Sequence, residues 1–395
     1  MFEPKLVHPS KVGSRSDPAR RPTVEMSTPG VTLFLCGDVM TGRGIDQILE
    51  HPGDPRLYES SVRSALGYVR LAEERNGPIP RGVDPAYIWG DALAALNGAD
   101  TMARIINLET AVTDGGEPWP GKGIHYRMDP HNLACITSAG IDCCVLANNH
   151  VLDWSYTGLE QTLNSLQGAG LGVTGAGFDS ATATRPALID IKSGCRVVVV
   201  ALGTPSSGIP PSWGAGSDRP GVALARALSS TEVDAVAARV ASAVTAGDIV
   251  VVSIHWGPNW GYDIPSSHRR FARALIDRAG VHVVHGHSSH HPLGIEVYRG
   301  RPILYGCGDL INDYEGIRGH AKYRPDLGLL YLVTMDPTAG RLQQLELVPV
   351  RIHRFRLTFA STEERTWLQK TLTREGRTGG AAIEATDSGR LFVRW

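Results

Sequence analysis

Six short segments of this 395-residue chain carry side chains able to bind cations or move protons, and each follows an apolar run. Asp38 closes VTLFLCGD, and Asn107 and Glu109 close ARIINLE. Asn148, Asn149 and His150 end IDCCVLANNH, with Asp153 just beyond. His255 and Trp256 end DIVVVSIHWG; His285, His287, His290 and His291 crowd VHVVHGHSSHH; Asp309 ends GCGD. Each alone has a bland explanation, since Asp after Gly or a run of Asn is usually a turn. Their recurrence at successive strand ends is what points to one shared site, because strand C-termini form the ligand crevice of α/β sheets.

Carboxylates and imidazoles in one place support two chemistries. They can hold a divalent cation, or they can exchange protons, since an imidazole paired with a carboxylate titrates near neutrality. In the second case Asp38, Glu109 and the histidines are the acid–base candidates. Asn149, Arg43 and backbone N–H groups would then stabilise negative charge developing on an oxygen. Removal of an α-proton beside a peptide carbonyl makes that demand. Cys307, beside Asp309, reads as a buried small apolar residue or as a proton donor.

Trp154, Trp256 and Trp260 lie in or beside these segments, and with Asp309 they are the candidate walls of a substrate pocket. Ordinary core packing explains the tryptophans equally well. Arg43, Lys122, Arg127 and Arg299 could pair with a substrate carboxylate, although a solvated surface role is the default.

The elements that would position these residues follow from the hydrophobic pattern. Strands are expected over 31–38, 103–109, 141–150, 248–257 and 281–291, with two more over 294–309 joined at Arg-Gly. HNLACITSAG, TGLEQTLNSLQGAG, SSTEVDAVAARVASAV, HRRFARALIDRAG and ERTWLQKTLTREG read as helices, the third capped by Ser/Thr with Glu behind. Alternating strand–helix units give way to consecutive strands, which implies an α/β fold with two sheets. Residues 1–28 read as a disordered tail and 29–395 as one large domain, with Met26 an alternative start.

Lys plus Arg is 39 and Asp plus Glu is 40, a net charge of −1, which argues against a general nucleic-acid binder. No apolar stretch reaches membrane-spanning length and no secretory signal is visible, so a cytoplasmic protein without membrane contact is expected. The six cysteines form no CxxC pair and read as reduced thiols. Neither GxGxxG nor GxxxxGK[ST] occurs, leaving nucleotide cofactors without support.

The segments GDVMTGRG, INLET, LANNHVLDW, SIHWG, HGHSSHHPLGIEVYRGRPILYGCGD and NDYEGI span most of residues 31–320. In that order they resemble the CapA-like (poly-γ-glutamate capsule synthesis) family of the calcineurin-like metallophosphoesterase superfamily. The resemblance implies a four-layer αββα sandwich of metallophosphatase type. It also implies a two-metal site, to which this chain corresponds only in part. Asp38 matches the first Asp, but Met40 stands where its His partner belongs, and Glu109 replaces the bridging Asp. Asn149-His150 keeps the Asn-His core with Val151 in place of Glu. His255 matches the lone His and His287 the first His of the last motif, whose second is displaced to His290 or His291.

The departures favour a site without metal; if one binds, the ligands would be Asp38, Glu109, Asn149, His255 and His287. The family is known to include enzymes that invert a residue in lasso-peptide precursors. The expectation is therefore a cofactor-free peptide epimerase, an isomerase acting on a ribosomally made peptide. Its catalytic residues would be Asp38, Glu109, Asn149, His150, His255, His287 and His290, and Arg43, Trp154, Trp256, Trp260 and Asp309 would contact the substrate. Alternatives are a metal-dependent phosphoesterase and a poly-γ-glutamate synthesis protein.

Overall fold

A computed structural model describes residues 1–3, 30–191 and 194–395, so most of the expected tail lies outside the described residues. The described part is mixed α/β, dominated by two large sheets. The first centres on Val31–Val39, with parallel neighbours Ala103–Leu108, Cys143–Val145 and Gly172–Thr174 on one side. On its other side run the antiparallel strands Leu327–Asp336, Arg341–Ile352, Leu391–Arg394 and Ala382–Ala385. The second sheet has the order Ile295–Tyr298, Arg301–Leu304, Val283–His287, Ile249–His255, Arg196–Gly203, Ala187–Asp190.

The central strands are apolar on both faces, so both faces must be covered. Leu33 and Leu35 pack with Val197, Val199, Val251 and Val283 in a core shared by the two sheets. On the far face of the first sheet, Phe34, Cys36 and Ile106 meet Val69, Leu159 and Leu163 from helices Leu66–Asn76 and Ser155–Gly168. On the far face of the second, Val198, Val200 and Val252 meet Val236, Phe271 and Leu275 from helices Ser230–Ala243 and Ser266–Arg278. All six cysteines are free.

Two sequence expectations are corrected locally. The strand expected over 141–150 is only Cys143–Val145. Beyond it the Asn148 side chain accepts from the His150 and Val151 N–H groups and turns the chain away from the sheet. HNLACITSAG forms a 3-10 turn, Pro130–Leu133, and one short helix, Ala134–Thr137, rather than a single helix.

Candidate functional site

Strand register assembles the site. Asp38 is paired with Asn107 on one neighbour and with Asp309 on the other. That contact needs the two glycines: a Cβ on Gly37 would lie 1.6 Å from the Gly308 carbonyl oxygen, and Gly308 itself has φ +76°. In the second sheet His255 is opposite His287 and Ser253 opposite His285. Side chains alternate along a strand, so these four share one face. After His287, Ser288 takes a left-handed φ of 99°, a strained conformation for a non-glycine residue. Two residues later the His290 ring reaches Asp309, Nδ1 to Oδ1 2.8 Å, and comes within 3.8 Å of Asp38 Oδ2.

The polar groups form three connected parts. In the first, Asn107 Nδ2 donates to Asp38 Oδ1 at 2.7 Å and reaches Glu109 Oε2 at 3.4 Å, while its carbonyl accepts from Asn148 Nδ2 at 3.1 Å. Burial, then the Asp309 charge, pushes the Asp38 carboxyl up to about 7. Burial and Asp38 push Glu109 well above the usual carboxylate range. The two carboxyls therefore tend to hold a proton between them rather than both ionise.

In the second part, His150 Nδ1 lies 2.6 Å from Asp153 Oδ2, and its Nε2 faces Glu109 Oε1 at 3.8 Å. Lys122 reaches Asp153 at 2.5 Å, and the Tyr126 N–H donates to Asp153 at 2.7 Å. Burial depresses His150 to about 4. Asp153 is also buried, but His150 and Lys122 outweigh that and hold its carboxyl low.

The third part is a chain of imidazoles whose protons can be counted. His285 Nε2 lies 2.6 Å from the Cys36 carbonyl oxygen, which can only accept, so Nε2 carries the proton. Burial disfavours the charged form of His285, His287 and His255. His285 Nδ1 is then a bare acceptor for Ser253 Oγ–H at 3.0 Å. Ser253 accepts in turn from His287 Nε2–H at 2.9 Å, which leaves His287 Nδ1 to accept from His255 Nδ1–H at 2.7 Å. The lone pair of His255 emerges at Nε2, 3.0 Å from the Asn149 side chain, so the proton count turns the Asn149 NH2 group toward it. Ser253→Ala breaks this order by removing the one hydroxyl donor. Imidazole 15N shifts are expected to show mixed tautomers at His287 in that variant and a single tautomer in Ser253→Thr; one unchanged tautomer in both would refute the count.

The chain thus brings together Asp38, Glu109, Asn149, His150, His255, His287, His290 and Asp309. Three ligand atoms, from Asp38, His255 and His287, lie within 4.8 Å of one another, as do three from Asp38, His290 and Asp309. Asp38 belongs to both groups, and its Oδ2 is buried without a hydrogen-bond partner. Residues not picked out from sequence complete the site: Ser253, Asn312 (Nδ2 to Asp309 Oδ2 2.8 Å) and Tyr314 (hydroxyl to His290 Nε2 3.4 Å). Ser253 was findable, because it stands two residues before His255 and so on the same strand face.

The expected substrate contacts are redistributed. Trp260 does stand at the site, its ring 5.3 Å from that of His290 and stacked on His320 at 3.9 Å. Trp256 instead is core, stacked on His268 with its N–H given to the Tyr305 carbonyl. Trp154 is buried beneath the Arg127 guanidinium, 3.9 Å from its ring centre. The Arg43 guanidinium is paired with Asp313 at 2.5 Å and Glu59 at 3.0 Å, so it clamps the structure rather than facing a substrate. Asp309 serves as the partner of His290 and Asn312. Cys307 is buried, and burial raises its thiol pKa further, which suits the apolar reading over a proton donor.

The family model described as bacterial capsule synthesis protein PGA_cap matches residues 32–314. A probable polyglutamine synthesis accessory protein of Mycobacterium tuberculosis is 50% identical over 364 residues, covering 92% of this chain and 96% of that protein. The PGA biosynthesis protein CapA of Bacillus subtilis is 27% identical over 90% of this chain and 80% of its own length. The capsule biosynthesis protein CapA of Bacillus anthracis is 25% identical over 82% of this chain and 67% of its own length. These matches overturn the expectation of a peptide epimerase and favour the poly-γ-glutamate alternative. With a matching family model over most of its length and a half-identical relative, the chain belongs to the bacterial capsule synthesis (PGA_cap, CapA-like) family.

Proposed function

We propose that this chain assists synthesis of a polyglutamate-type polymer as a metal-assisted enzyme, acting on an amide or phosphoryl group of the polymer or its precursor. The relatives' names supply the polymer. The chemistry rests on one observation: Asp38 belongs to two groups of possible cation ligands, and its Oδ2 is buried without a hydrogen-bond partner. A buried acceptor left unpaired costs about 1–3 kcal/mol, which a bound cation would remove. Hard carboxylate and borderline imidazole donors suit Mn2+ or Zn2+. Asp38, His255 and His287 would hold one ion and Asp38, His290 and Asp309 a second, supplying a Lewis acid for a carbonyl or phosphoryl oxygen.

The chain's own groups manage the protons. Glu109, kept protonated by burial and by Asp38, is placed to donate one. Neutral His150, oriented by Asp153, presents Nε2 on the same side to accept one. The chain from Cys36 through His285 and Ser253 holds His287 with Nδ1 toward the site; an ion there would replace the His255–His287 hydrogen bond, and His255 would carry its proton on Nε2, facing the Asn149 carbonyl oxygen. Two packed sheets with helices on their outer faces support the four-layer αββα sandwich of metallophosphatase type.

The test is metal analysis of the purified protein, followed by mass spectrometry of short γ-linked oligoglutamates incubated with Mn2+ or with chelator. Bound metal and a chelator-sensitive change in the oligomers are expected; no binding and no change would refute the reading. A pH series checks the same site. The proton on Asp38 competes with a cation, and only the ionised form is a ligand, so affinity rises as pH passes upward through about 7. From one unit below to one unit above, roughly tenfold tighter binding is expected by calorimetry. A flat profile would exclude Asp38 as a ligand.

A further inference from the structure

A cavity of about 1230 Å³ opens beside the site, lined among others by Asn312, Tyr314, Arg75 and Arg318. Asn312 and Tyr314 belong to both places. Asn312 holds Asp309, and the Tyr314 hydroxyl reaches His290, while both also form cavity wall. The space exceeds the roughly 300–1,000 Å³ typical of a small-molecule cleft. Its charged groups are unequally engaged. Glu315 accepts from Asn76 Nδ2 and from the Arg354 and Phe355 N–H groups. Glu364 is held by Arg324 and Arg351, and Asp326 by Arg324. Among the described residues, Arg75 and Arg318 have no ion pair and are exposed, against one exposed lining carboxylate, Glu74. The lining's four arginines and four carboxylates balance, but Arg75 and Arg318 are exposed and unclaimed while Glu315 is buried under its donors, so the cations open to a ligand are these two arginines.

We propose that this cavity is the chain-binding cleft of the site, holding several residues of a carboxylate-bearing peptide polymer, with Arg75 and Arg318 taking side-chain carboxylates and Tyr314 and Asn312 marking the passage to His290 and Asp309. This assignment rests on the polymer reading above. Arginine suits the task because its planar fork pairs with carboxylates. An extended polymer also explains a space of this size better than a compact metabolite does.

Fluorescence anisotropy of the full chain with a labelled γ-linked oligoglutamate tests it. Arg75→Glu with Arg318→Glu is expected to weaken binding about tenfold, which corresponds to about 1.4 kcal/mol. A neutral oligoglutamine is expected to bind more weakly than the acidic oligomer. Absence of binding to the native chain, unchanged affinity in the double variant, or equal affinity for the neutral oligomer would each overturn the cleft. Measured throughout in chelator, these outcomes do not depend on metal content, which separately decides the metal-assisted reading.

Discussion

Replacing Asp38 with Asn is expected to abolish cation binding, weakening it more than about a hundredfold, beyond the loss usual for a residue that merely orients a ligand. The reason is position. Asp38 is the one residue common to both ligand groups, so a single neutral amide removes an anionic donor from each. The folded chain should tolerate the change. Asn keeps an oxygen for Asn107 Nδ2, and it removes a carboxyl that burial already pushes toward neutrality. The stability of the metal-free protein should therefore stay within about 1 kcal/mol of the native value. Calorimetric titration with Mn2+ and thermal melts without metal separate the two effects. Retained cation affinity would refute the shared role, and a large loss of melting temperature in the metal-free protein would mark Asp38 as structural.

The second large effect is on stability. Arg43→Met is expected to cost about 3–5 kcal/mol, because removing one partner from a buried ion pair strands the others. Asp313 and Glu59 would both lose their cation, and the Tyr68 and Tyr126 rings would lose the guanidinium that lies 3.8 Å and 4.2 Å from their centres. For a chain of this size that loss lowers the melting temperature by about 5 °C. Asp313→Leu in the same molecule removes one stranded charge and should recover part of the loss, a coupling visible in a double-mutant cycle. A melting temperature unchanged in the single variant would refute the clamp and return Arg43 to the pool of groups free for substrate.

Much of the site could be read from the chain because strand ends announce themselves. Apolar runs such as VTLFLCGD and DIVVVSIHWG become strands Val31–Val39 and Ile249–His255, and their polar tips fall where parallel sheets place ligands. What could not be read was the partner of each tip. Arg43 and Trp256 have the types expected of substrate contacts. Only packing shows that Asp313, 270 positions away, claims the first, and that His268 and Tyr305 enclose the second. The cavity beside Tyr314 was equally hidden, since the helix end carrying Arg75 and the loop carrying Arg318 meet only in the folded chain.

The function shows the same division. The motifs pointed to the CapA-like family, while the inference from them to proton exchange at a peptide is what the relatives overturn. The structure brings together possible cation ligands that the motif spacing alone does not. His290 and Asp309 join Asp38 because Ser288 turns the chain back and because Gly37 and Gly308 let two strands approach closely. Local pattern, being a property of neighbours in the chain, determined the strands, their polar ends and the family. Register, close backbone approach and burial act between residues far apart in sequence, and they alone decided which ends share a proton and which carboxylate faces two ligand groups.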